Sequence, residues 1–399
     1  MGTATALIRW GAWAADEDLA LAFPDGWSIT MCPPADAPDI GADGVAAAFA
    51  TPVGTPRLRD LARGRRSACI VIDDLTRPTP GARLVPPLLD ELTAAGIADE
   101  DVTVLVGLAN HKPMQGADLH KKLGEEVLSR CRVSQHMSWE GNLPLGTTSR
   151  GTPVEINATW MEADLRILVG SIIPHAGTGF SGGAKLLMPG IASIDAAEAF
   201  HRGPVASGRY DVVETEGRLD AEEAARMAGV DTIVNAVPNS RMGLAGVVVG
   251  DVVAAHRAGV EIARRVFATT APAEADVAVL SLYPKDGEFL QHLTAFSPYK
   301  TASQPIVRPG GSVVVAVAAS EGFGYHALFG PGRRLQAPNA TRLRERDVVF
   351  FCPNLFTTEV PEGTVLMRTW GDTVAWLSAK HGAAARASVF PCATIQLCT

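Results

Sequence analysis

The chain has 399 residues, of which 43 are acidic and 35 are basic, so its formal net charge at pH 7 is −8. Hydrophobic residues make up 47% of the sequence and charged residues 20%, a composition that excludes wholesale disorder. The acidic balance argues against nucleic acid as the main partner, and no apolar run reaches the roughly 18–20 residues of a membrane span. The length predicts two or three domains.

Short runs rich in valine, isoleucine and leucine alternate along the chain with alanine-rich helical stretches. The predicted strands are, in chain order, Cys69–Asp73, Val102–Gly107, Leu165–Ser171, Ala245–Val249, Val277–Leu282, Ser312–Val317 and Val348–Phe351. The predicted helices are Leu84–Ala95, Ala117–Ser129, Ser193–His201, Ala221–Ala228, Val252–Phe267, Glu288–Ala295 and Thr373–Lys380. Continuous apolar strands between helices are typical of a parallel sheet covered on both faces. The predicted fold class is therefore α/β, with mostly parallel sheets.

A linker is predicted at Ala268–Ala275, a stretch of small residues that contains proline and lacks large apolar side chains. It would separate an N-terminal catalytic and cofactor-binding α/β domain, residues 1–268, from a smaller C-terminal α/β domain, residues 275–399. The first 60 residues are rich in proline and glycine, and the sequence assigns them no role.

The six cysteines are scattered and include no C-x-x-C pair, and the N-terminus lacks the pattern of a signal peptide. This usage predicts reduced thiols, mostly in the core, in a cytoplasmic protein.

Polar clusters follow three of the predicted strands, at the sheet edge where doubly wound folds bind ligands. In the first, Asp74 and Arg77 lie in a proline-stiffened loop and could hold a hydroxyl and a carboxylate or phosphate; a turn with a surface ion pair is the alternative. The second contains His111, a residue type suited to acid–base catalysis, although a lone histidine is often structural.

The third cluster runs from His175 to Lys185 and is rich in glycine. Its segment Gly177–Gly182 formally matches the G-x-G-x-x-G pattern of dinucleotide-binding proteins. That pattern should open a helix at once and be followed by an acidic residue about 20 positions later, whereas Lys185 and Pro189 follow here. The P-loop pattern fails as well, because no serine or threonine follows the lysine. Structural turns and a nucleotide site both stay open.

His201 ends the predicted helix Ser193–His201. As a cation it could cap the last carbonyl groups of the helix, and as a neutral imidazole it could bind a metal ion.

Together these clusters resemble the nickel-dependent lactate racemases and the related 2-hydroxyacid racemases and epimerases. The resemblance runs over most of the chain, is densest from Asp74 to Arg202, and is weak after Ala268 and in the first 60 residues. Its most specific part is the loop from His175 to Lys185, which ends in Ser-Gly-Gly-Ala-Lys, followed by His201.

The resemblance implies the cofactor of that family, a nickel-pincer nucleotide (pyridinium-3,5-bisthiocarboxylic acid mononucleotide nickel), bound covalently to Lys185 through a thioamide. It implies that His201 ligates the nickel ion, and that the active site lies in the cleft between the two domains. Other implied cofactor-binding residues are Gly177, Gly179, Gly182, Gly183 and Lys112.

The resemblance also assigns the catalytic residues, which are His111, His175, Asp74 and Arg77. To invert a 2-hydroxyacid through its ketone, an enzyme must remove a hydroxyl proton and a hydride and then return the hydride to the other face. Two histidines on opposite sides suit this reaction, because each serves as base in one direction and as acid in the other. Arg77 can anchor the substrate carboxylate while the carbon is inverted.

One segment departs from the family pattern. Gln291 is retained at a substrate-binding position, but Leu290 replaces a tyrosine and Thr294 replaces a lysine that contacts substrate in the family. Either Arg77 takes over the task of the lost ammonium group, helped by His292 or Lys285, or the substrate differs. The freed space also allows a larger 2-substituent, so the predicted substrate is a 2-hydroxyacid other than lactate, bulkier or more polar.

The sequence therefore predicts an isomerase, a racemase or epimerase of 2-hydroxyacids. Its expected partners are the small-molecule substrate and the cofactor maturation enzymes, with neither nucleic acid nor membrane, and self-association into a homo-oligomer is left open. The alternatives are an NAD-dependent 2-hydroxyacid dehydrogenase that uses Gly177–Gly182 and a non-catalytic nucleotide- or metal-binding protein.

Overall fold

The computed structural model describes residues 4–330, 332–335, 343, 345–356 and 360–398. This part of the chain forms two compact units. The larger unit is Ala37–Arg264, and the smaller unit combines the described residues up to Asp36 with those from Arg265 onward. Both units contain a large, mostly parallel sheet with helices, so the predicted α/β class is confirmed.

The larger unit is built on a six-stranded sheet. Its strands are, in spatial order, Leu244–Gly250, Thr232–Pro238, Leu165–Ser171, Ala68–Asp73, Val102–Gly107 and Arg132–Gln135. All neighbours run parallel except the first pair, which is antiparallel. Every residue of Ala68–Asp73 is buried, as expected for a central parallel strand covered on both faces. The loops that follow the three central strands therefore meet at one edge.

Helices connect most of these strands. Those of the larger unit are Gly41–Ala50, Leu58–Leu61, Gly81–Ala94, Gly116–Arg130, Ala158–Glu162, Ile194–Arg202 and Glu216–Met227. A further helix, Ala254–Phe267, begins in this unit and continues past its last residue, Arg264. Hydroxyl side chains cap two of them, because Ser193 accepts a hydrogen bond from the backbone N–H of Ala196 and Thr215 accepts one from Arg218. A small antiparallel hairpin pairs Asn142–Thr147 with Pro153–Asn157.

The smaller unit has a second six-stranded sheet in which all neighbours are parallel. Its strands are, in spatial order, Val365–Met367, Asp347–Phe351, Val307–Ala316, Ala275–Ser281, Arg386–Phe390 and Ser28–Met31. Successive residues of the central strand enter different apolar clusters, Val277 in one and Ala278 in the other, so both faces are covered. The smaller unit also has an N-terminal hairpin, in which Ala4–Trp10 pairs with Glu17–Phe23, and the α-helices Ser297–Thr301 and Trp370–His381.

Most predicted elements lie close to the observed ones, with two differences in type. The predicted helix Glu288–Ala295 is the 3₁₀-helical segment Phe289–Phe296. The predicted strand Ala245–Val249 exists but runs antiparallel to its neighbour. The six cysteines are free and buried, as expected of core thiols. Among the helices in the described ranges, none combines the length and the apolar character needed to cross a lipid bilayer.

The division of the chain differs from the predicted boundary between residues 1–268 and 275–399. The described residues up to Asp36 belong with the C-terminal part, because strand Ser28–Met31 pairs in parallel with Arg386–Phe390 at the edge of its sheet. The segment predicted as a linker contains the short strand Ala268–Thr269, which pairs with Leu397–Cys398. Both pairings join residues far apart in sequence, which local composition does not reveal.

Substitutions at two neighbouring residues, Ile8 and Leu7, test how the N-terminal hairpin packs in the smaller unit. Ile8 is fully buried in the apolar cluster that contains Val277, whereas Leu7 is 52% exposed. Ile8→Ala should lower the free energy of unfolding by about 2–5 kcal/mol because it leaves a cavity. Leu7→Ala should change it by less than about 0.5 kcal/mol. Chemical denaturation of both variants measures the difference, and equal effects would contradict the observed alternation.

Candidate active site

A cavity in the larger unit lies where the three central strands end. The loops after Ala68–Asp73, Val102–Gly107 and Leu165–Ser171 line it. Its polar lining side chains are Asp73, Asp74, Thr76, Arg77, His111, Ser181 and Lys185. The structure therefore brings together five of the predicted site residues, which are Asp74, Arg77, His111, Gly182 and Lys185.

Asp74 and His111 form a buried acid–imidazole pair. The Nδ1 atom of His111 lies 2.6 Å from Oδ2 of Asp74, whose side chain is almost fully buried. Burial raises the pKa of Asp74, but the nearby charges of His111 and Arg77 and its hydrogen bonds outweigh this and hold the pKa well below its usual value. Because Asp74 is a carboxylate, the Nδ1–H of His111 donates to it. A neutral His111 then has its lone pair on Nε2.

Thr76 links this pair to Arg77. The Thr76 hydroxyl donates to Oδ1 of Asp74 at 2.5 Å, and its oxygen accepts from Nη1 of Arg77 at 2.9 Å. The same guanidinium nitrogen donates to the backbone oxygen of Thr76 at 3.0 Å. The loop is thus an ordered network at the cavity, which disfavours the alternative of a turn with a surface ion pair.

Lys122, which the sequence analysis did not identify, holds this loop in place through hydrogen bonds. Its side chain is fully buried, and Nζ donates to Oδ1 of Asp73 at 2.7 Å, to the backbone oxygen of Asp74 at 2.8 Å and to that of Arg77 at 3.1 Å. Burial lowers the pKa of Lys122, against the opposing effect of Asp73. A signal was present, because Lys122 lies next to Leu123 and three residues after Leu119, on the apolar stripe of its helix.

His175 and Lys185 meet in the glycine-rich loop. Nε2 of His175 lies 3.0 Å from Nζ of Lys185. The backbone N–H of Gly177 donates to Nδ1 of His175 at 3.1 Å, so a neutral His175 carries its proton on Nε2. Burial holds the pKa of Lys185 well below its usual value, and the charges of Arg77 and Arg218 lower it further.

Most glycines of this loop are required by close packing. A Cβ atom on Gly177 would lie 2.3 Å from a methyl carbon of Val205, and one on Gly179 would lie 1.9 Å from the backbone oxygen of Val212. A Cβ on Gly183 would lie 2.9 Å from the ring of His256. Of the four predicted cofactor-binding glycines, Gly182 is the one that lines the cavity.

The same loop does not have the form of a dinucleotide site. From Pro174 to Phe180 the chain makes a short hairpin, which pairs Pro174–His175 with Gly179–Phe180 and includes the first two glycines of the motif. A 3₁₀ turn, Gly183–Leu186, follows in place of the helix whose N-terminus would hold a pyrophosphate. This geometry disfavours the alternative of an NAD-dependent dehydrogenase.

Three buried polar residues that the sequence analysis did not identify hold the loop in place. Arg218 donates to the backbone oxygens of Gly182, at 3.0 Å, and of Phe180. Asn235 accepts from the backbone N–H of Gly183 at 2.6 Å, and His256 donates to the backbone oxygen of Ser181 at 2.9 Å. Burial lowers the pKa of Arg218 to about 10 and that of His256 well below its usual value.

His201 lies in the last turn of Ile194–Arg202, as predicted. Its Nδ1–H donates to the backbone oxygen of Ala197 at 2.7 Å, which leaves the lone pair of the neutral ring on Nε2. Burial lowers the pKa of His201 to about 4, against the opposing effect of that hydrogen bond, and the charges of Lys185 and His111 contribute. The ring is therefore neutral at pH 7, which disfavours a cationic helix cap. A ring fixed through Nδ1 is typical of metal-ligating histidines.

The chain has few other metal-ligating groups near one another. Within the described ranges, no three or more His, Cys, Asp or Glu side chains are grouped so that they could hold a metal ion. A metal ion at His201 would therefore need most of its ligands from a bound cofactor.

Asn110 is a further polar residue beside His111. Its side chain is only 2% exposed, and neither its amide nitrogen nor its oxygen has a hydrogen-bond partner in the structure. A buried amide without partners costs about 1–3 kcal/mol, so this position favours a bound polar ligand or water.

Eight of the predicted site residues are not among those that line the cavity, namely His175, Gly177, Gly179, Gly183, His201, Lys112, Gln291 and Thr294. Lys112 follows His111 in the same loop but is not among the lining residues. Gln291 and Thr294 belong to the smaller unit, where the Thr294 hydroxyl donates to the backbone oxygen of Gln291 at 2.9 Å. Between them, His292 stacks on Phe289, and burial lowers its pKa to about 4, so it is a core residue.

Comparisons with known proteins point to one family. A family model described as the lactate racemase N-terminal domain matches residues 15–211. The lactate racemase of Thermoanaerobacterium thermosaccharolyticum is 32% identical over 297 residues, which cover 72% of this chain and 68% of the relative. That of Lactiplantibacillus plantarum is 30% identical over 290 residues, which cover 69% of this chain and 67% of the relative.

Solved structures share the fold. The lactate racemase apoprotein from T. thermosaccharolyticum has a TM-score of 0.81 at 24% identity, and the match covers 99% of this chain and 100% of that one. A protein from Thermotoga maritima has a TM-score of 0.63 at 17% identity, covering 79% of this chain and 93% of that one.

Lys122 and its neighbour Lys121 provide a matched pair of variants. Lys122→Ala should lower the free energy of unfolding by about 3–5 kcal/mol, because it leaves the buried carboxylate of Asp73 without its cation. Lys121→Ala, at an exposed position, should change it by less than about 0.5 kcal/mol. Urea denaturation measures both. A loss at Lys122 no larger than that at Lys121 would show that the buried ion pair does not support the loop.

Proposed function

The chain belongs to the lactate racemase family, and on that premise we propose that it inverts the C2 centre of a 2-hydroxyacid. Its relatives are racemases, so the chain is an isomerase of that kind. The observation that carries the proposal is the opposite protonation of His111 and His175. Asp74 leaves the lone pair of His111 on Nε2, whereas Gly177 leaves the proton of His175 on Nε2.

This arrangement supplies one base and one acid at the same time. Racemisation removes a hydroxyl proton from one enantiomer and delivers a proton to the hydroxyl of the other. With one enantiomer, His111 accepts the proton through Nε2 and His175 donates its own. Because a neutral His175 has a single ring proton, the proton taken up by His111 must return to His175 through solvent as His175 gives up its own. Both rings are then neutral again at the end of the turnover.

Asp74 makes His111 an effective base. When His111 accepts a proton it becomes an imidazolium, and the adjacent carboxylate at 2.6 Å stabilises that charge. Thr76 and the backbone hydrogen bonds of the loop hold the carboxylate in place. Arg77, on the same loop, anchors the substrate carboxylate, because a guanidinium group binds a carboxylate through two parallel hydrogen bonds.

We also propose that Lys185 and His201 hold a nickel-pincer nucleotide. Lys185 has an amine of low pKa at the cavity, suited to a covalent bond, and His201 has a neutral ring with its lone pair on Nε2. The unpartnered amide of Asn110 favours a polar ligand nearby. When bound, this cofactor supplies a site that takes a hydride from C2 and returns it. Maturation enzymes in the cytoplasm would provide it.

The substrate in this proposal is a 2-hydroxyacid other than lactate. Thr294 replaces the family's substrate-contacting lysine, and its hydroxyl donates to the backbone of Gln291. A threonine there cannot supply a positive charge, so Arg77 has the larger share of carboxylate binding. The smaller side chain also leaves room for a larger substituent at C2. A position of the site between the two units stays a prediction.

Loading with cofactor tests the function directly. Protein co-expressed with the maturation enzymes should contain about one nickel ion per chain, carry a covalent adduct on Lys185 by intact mass, and racemise a 2-hydroxyacid without added NAD. His111→Ala and His175→Ala should each lower the rate by a factor of about 10²–10⁴, because each removes one acid–base group.

The surface variant His120→Ala is the matched control, since His120 is exposed and pairs with Glu125. It should retain the rate of the unaltered chain. Absence of nickel and adduct under these conditions would refute the cofactor proposal. A normal rate in either of these histidine variants, in both directions, would refute the two-base scheme.

A panel of 2-hydroxyacids tests the substrate proposal. Lactate should be a poor substrate compared with acids that carry a larger or more polar C2 substituent, measured as kcat/KM by chiral chromatography. Thr294→Lys should improve lactate relative to the larger acids, because it restores an ammonium group and fills space. Comparable turnover of lactate and larger acids by the unaltered chain would contradict the proposal.

A further inference from the structure

The contact between His175 and Lys185 has no part in racemisation as proposed above. Nε2 and Nζ lie 3.0 Å apart, and both side chains belong to the same loop. Once Lys185 is bound to a cofactor, its nitrogen is no longer an amine. The contact is therefore a property of the unloaded protein.

The hydrogen bonds determine how the protons are arranged in this contact. The N–H of Gly177 and the hydroxyl of Thr178 lie 3.1 Å from Nδ1 of His175, and a backbone N–H can only donate. The Nε2 atom of a neutral His175 is therefore protonated and donates to the lone pair of Lys185. If Lys185 were protonated, two N–H donors would face each other across the 3.0 Å between Nε2 and Nζ. The geometry thus requires an uncharged amine.

The surroundings of Lys185 favour the same state. The positively charged side chains that act on it, Arg77 from the first loop and Arg218 from helix Glu216–Met227, disfavour an ammonium group. His201 adds a neutral ring. The two carboxylates that line the cavity are engaged elsewhere, Asp73 by Lys122 and Asp74 by His111.

We propose that the chain attaches its own cofactor, with His175 orienting Lys185 as a nucleophile and relaying the proton that moves as the thioamide forms. The inference rests on the proposed function, which supplies the thiocarboxylic acid that the amine attacks. It gives His175 a second task, completed before any substrate binds.

The step balances without an oxidant or a reductant. The Lys185 nitrogen forms a bond to the thiocarboxyl carbon, and the bond from that carbon to oxygen breaks. The oxygen leaves as water, taking the Nε2 proton of His175 and the thiol proton of the acid. His175 recovers a proton from the Lys185 nitrogen and is again neutral, so the products are a thioamide and water.

A dithioester tests the nucleophile without catalysis by the loaded enzyme. Ethyl dithioacetate thioacylates amines, with ethanethiol as the leaving group. In unloaded protein at pH 7, peptide mapping by mass spectrometry should find Lys185 modified at least about tenfold faster than exposed Lys121. His175→Ala should remove this advantage, and added imidazole should restore part of it. An equally fast reaction of Lys185 in folded His175→Ala would overturn the proposal.

A second variant and a second histidine make the result specific. His175→Gln keeps an amide that can hold the amine but cannot relay a proton, so it should be as slow as His175→Ala. His111→Ala removes the histidine that lines the cavity and contacts Asp74 and Thr76, and it should leave the labelling rate of Lys185 within about twofold. A large loss of labelling in His111→Ala would assign the effect to the cavity as a whole and overturn the specific role of His175.

Co-expression with the maturation enzymes separates this inference from the proposed function. Neither His111→Ala nor His175→Ala should racemise, but His111→Ala should carry the adduct on Lys185 and His175→Ala should lack most of it by intact mass. No adduct on the unaltered chain would refute the proposed function itself. Equal adduct on the unaltered chain and on His175→Ala would overturn only the self-attachment inference.

Discussion

The buried ammonium group of Lys122 is the interaction on which the candidate site depends. It lies behind the first loop, where a fully buried strand ends in Asp73, and it bonds one carboxylate and two backbone oxygens. Removing a lysine and an aspartate from water is costly, and this cost is offset only when the remaining donors and acceptors are satisfied. Thr79 completes the set by donating to the other oxygen of Asp73. The loop that carries Asp74 and Arg77 is therefore held in one conformation.

The glycine-rich loop is held in a similar way by a different cation. Arg218 is buried and binds the backbone oxygens of Phe180 and Gly182, while His256 binds Ser181 between them and Asn235 binds Gly183 just after them. Each histidine of the site then takes its protonation state from one neighbour on its own side, a carboxylate for His111 and a backbone N–H for His175. The two neutral rings therefore carry their protons on different nitrogen atoms, because the loops that hold them supply different partners to Nδ1.

The sequence predicted the parts of this site that depend on position along the chain. Apolar runs located the central strands, and the rule that ligands bind at strand ends identified Asp74 and His111. The supporting groups were missed because their partners are distant, since Lys122 lies 49 positions after Asp73 and Arg218 lies 36 positions after Gly182. Pairing over such separations is decided by tertiary packing. For the same reason composition could not assign strand Ser28–Met31 to the C-terminal sheet, and Gly177 and Gly179 matched a nucleotide motif although packing requires them.

Groups that can carry a positive charge are concentrated around this cavity, and they affect the protonation of Lys185 and His201. Arg77 and Arg218 both disfavour an ammonium group on Lys185, and Lys185 and His111 disfavour a proton on His201. Burial is the main cause in both cases, and together with these positive charges it favours an uncharged amine and an imidazole with a lone pair. These are the states that the proposed nucleophile and the proposed metal ligand need. Arg77 lines the same cavity, where a guanidinium group suits an anionic ligand. The burial that makes a proton on Lys185 or His201 unfavourable therefore suits both residues to the roles proposed for them.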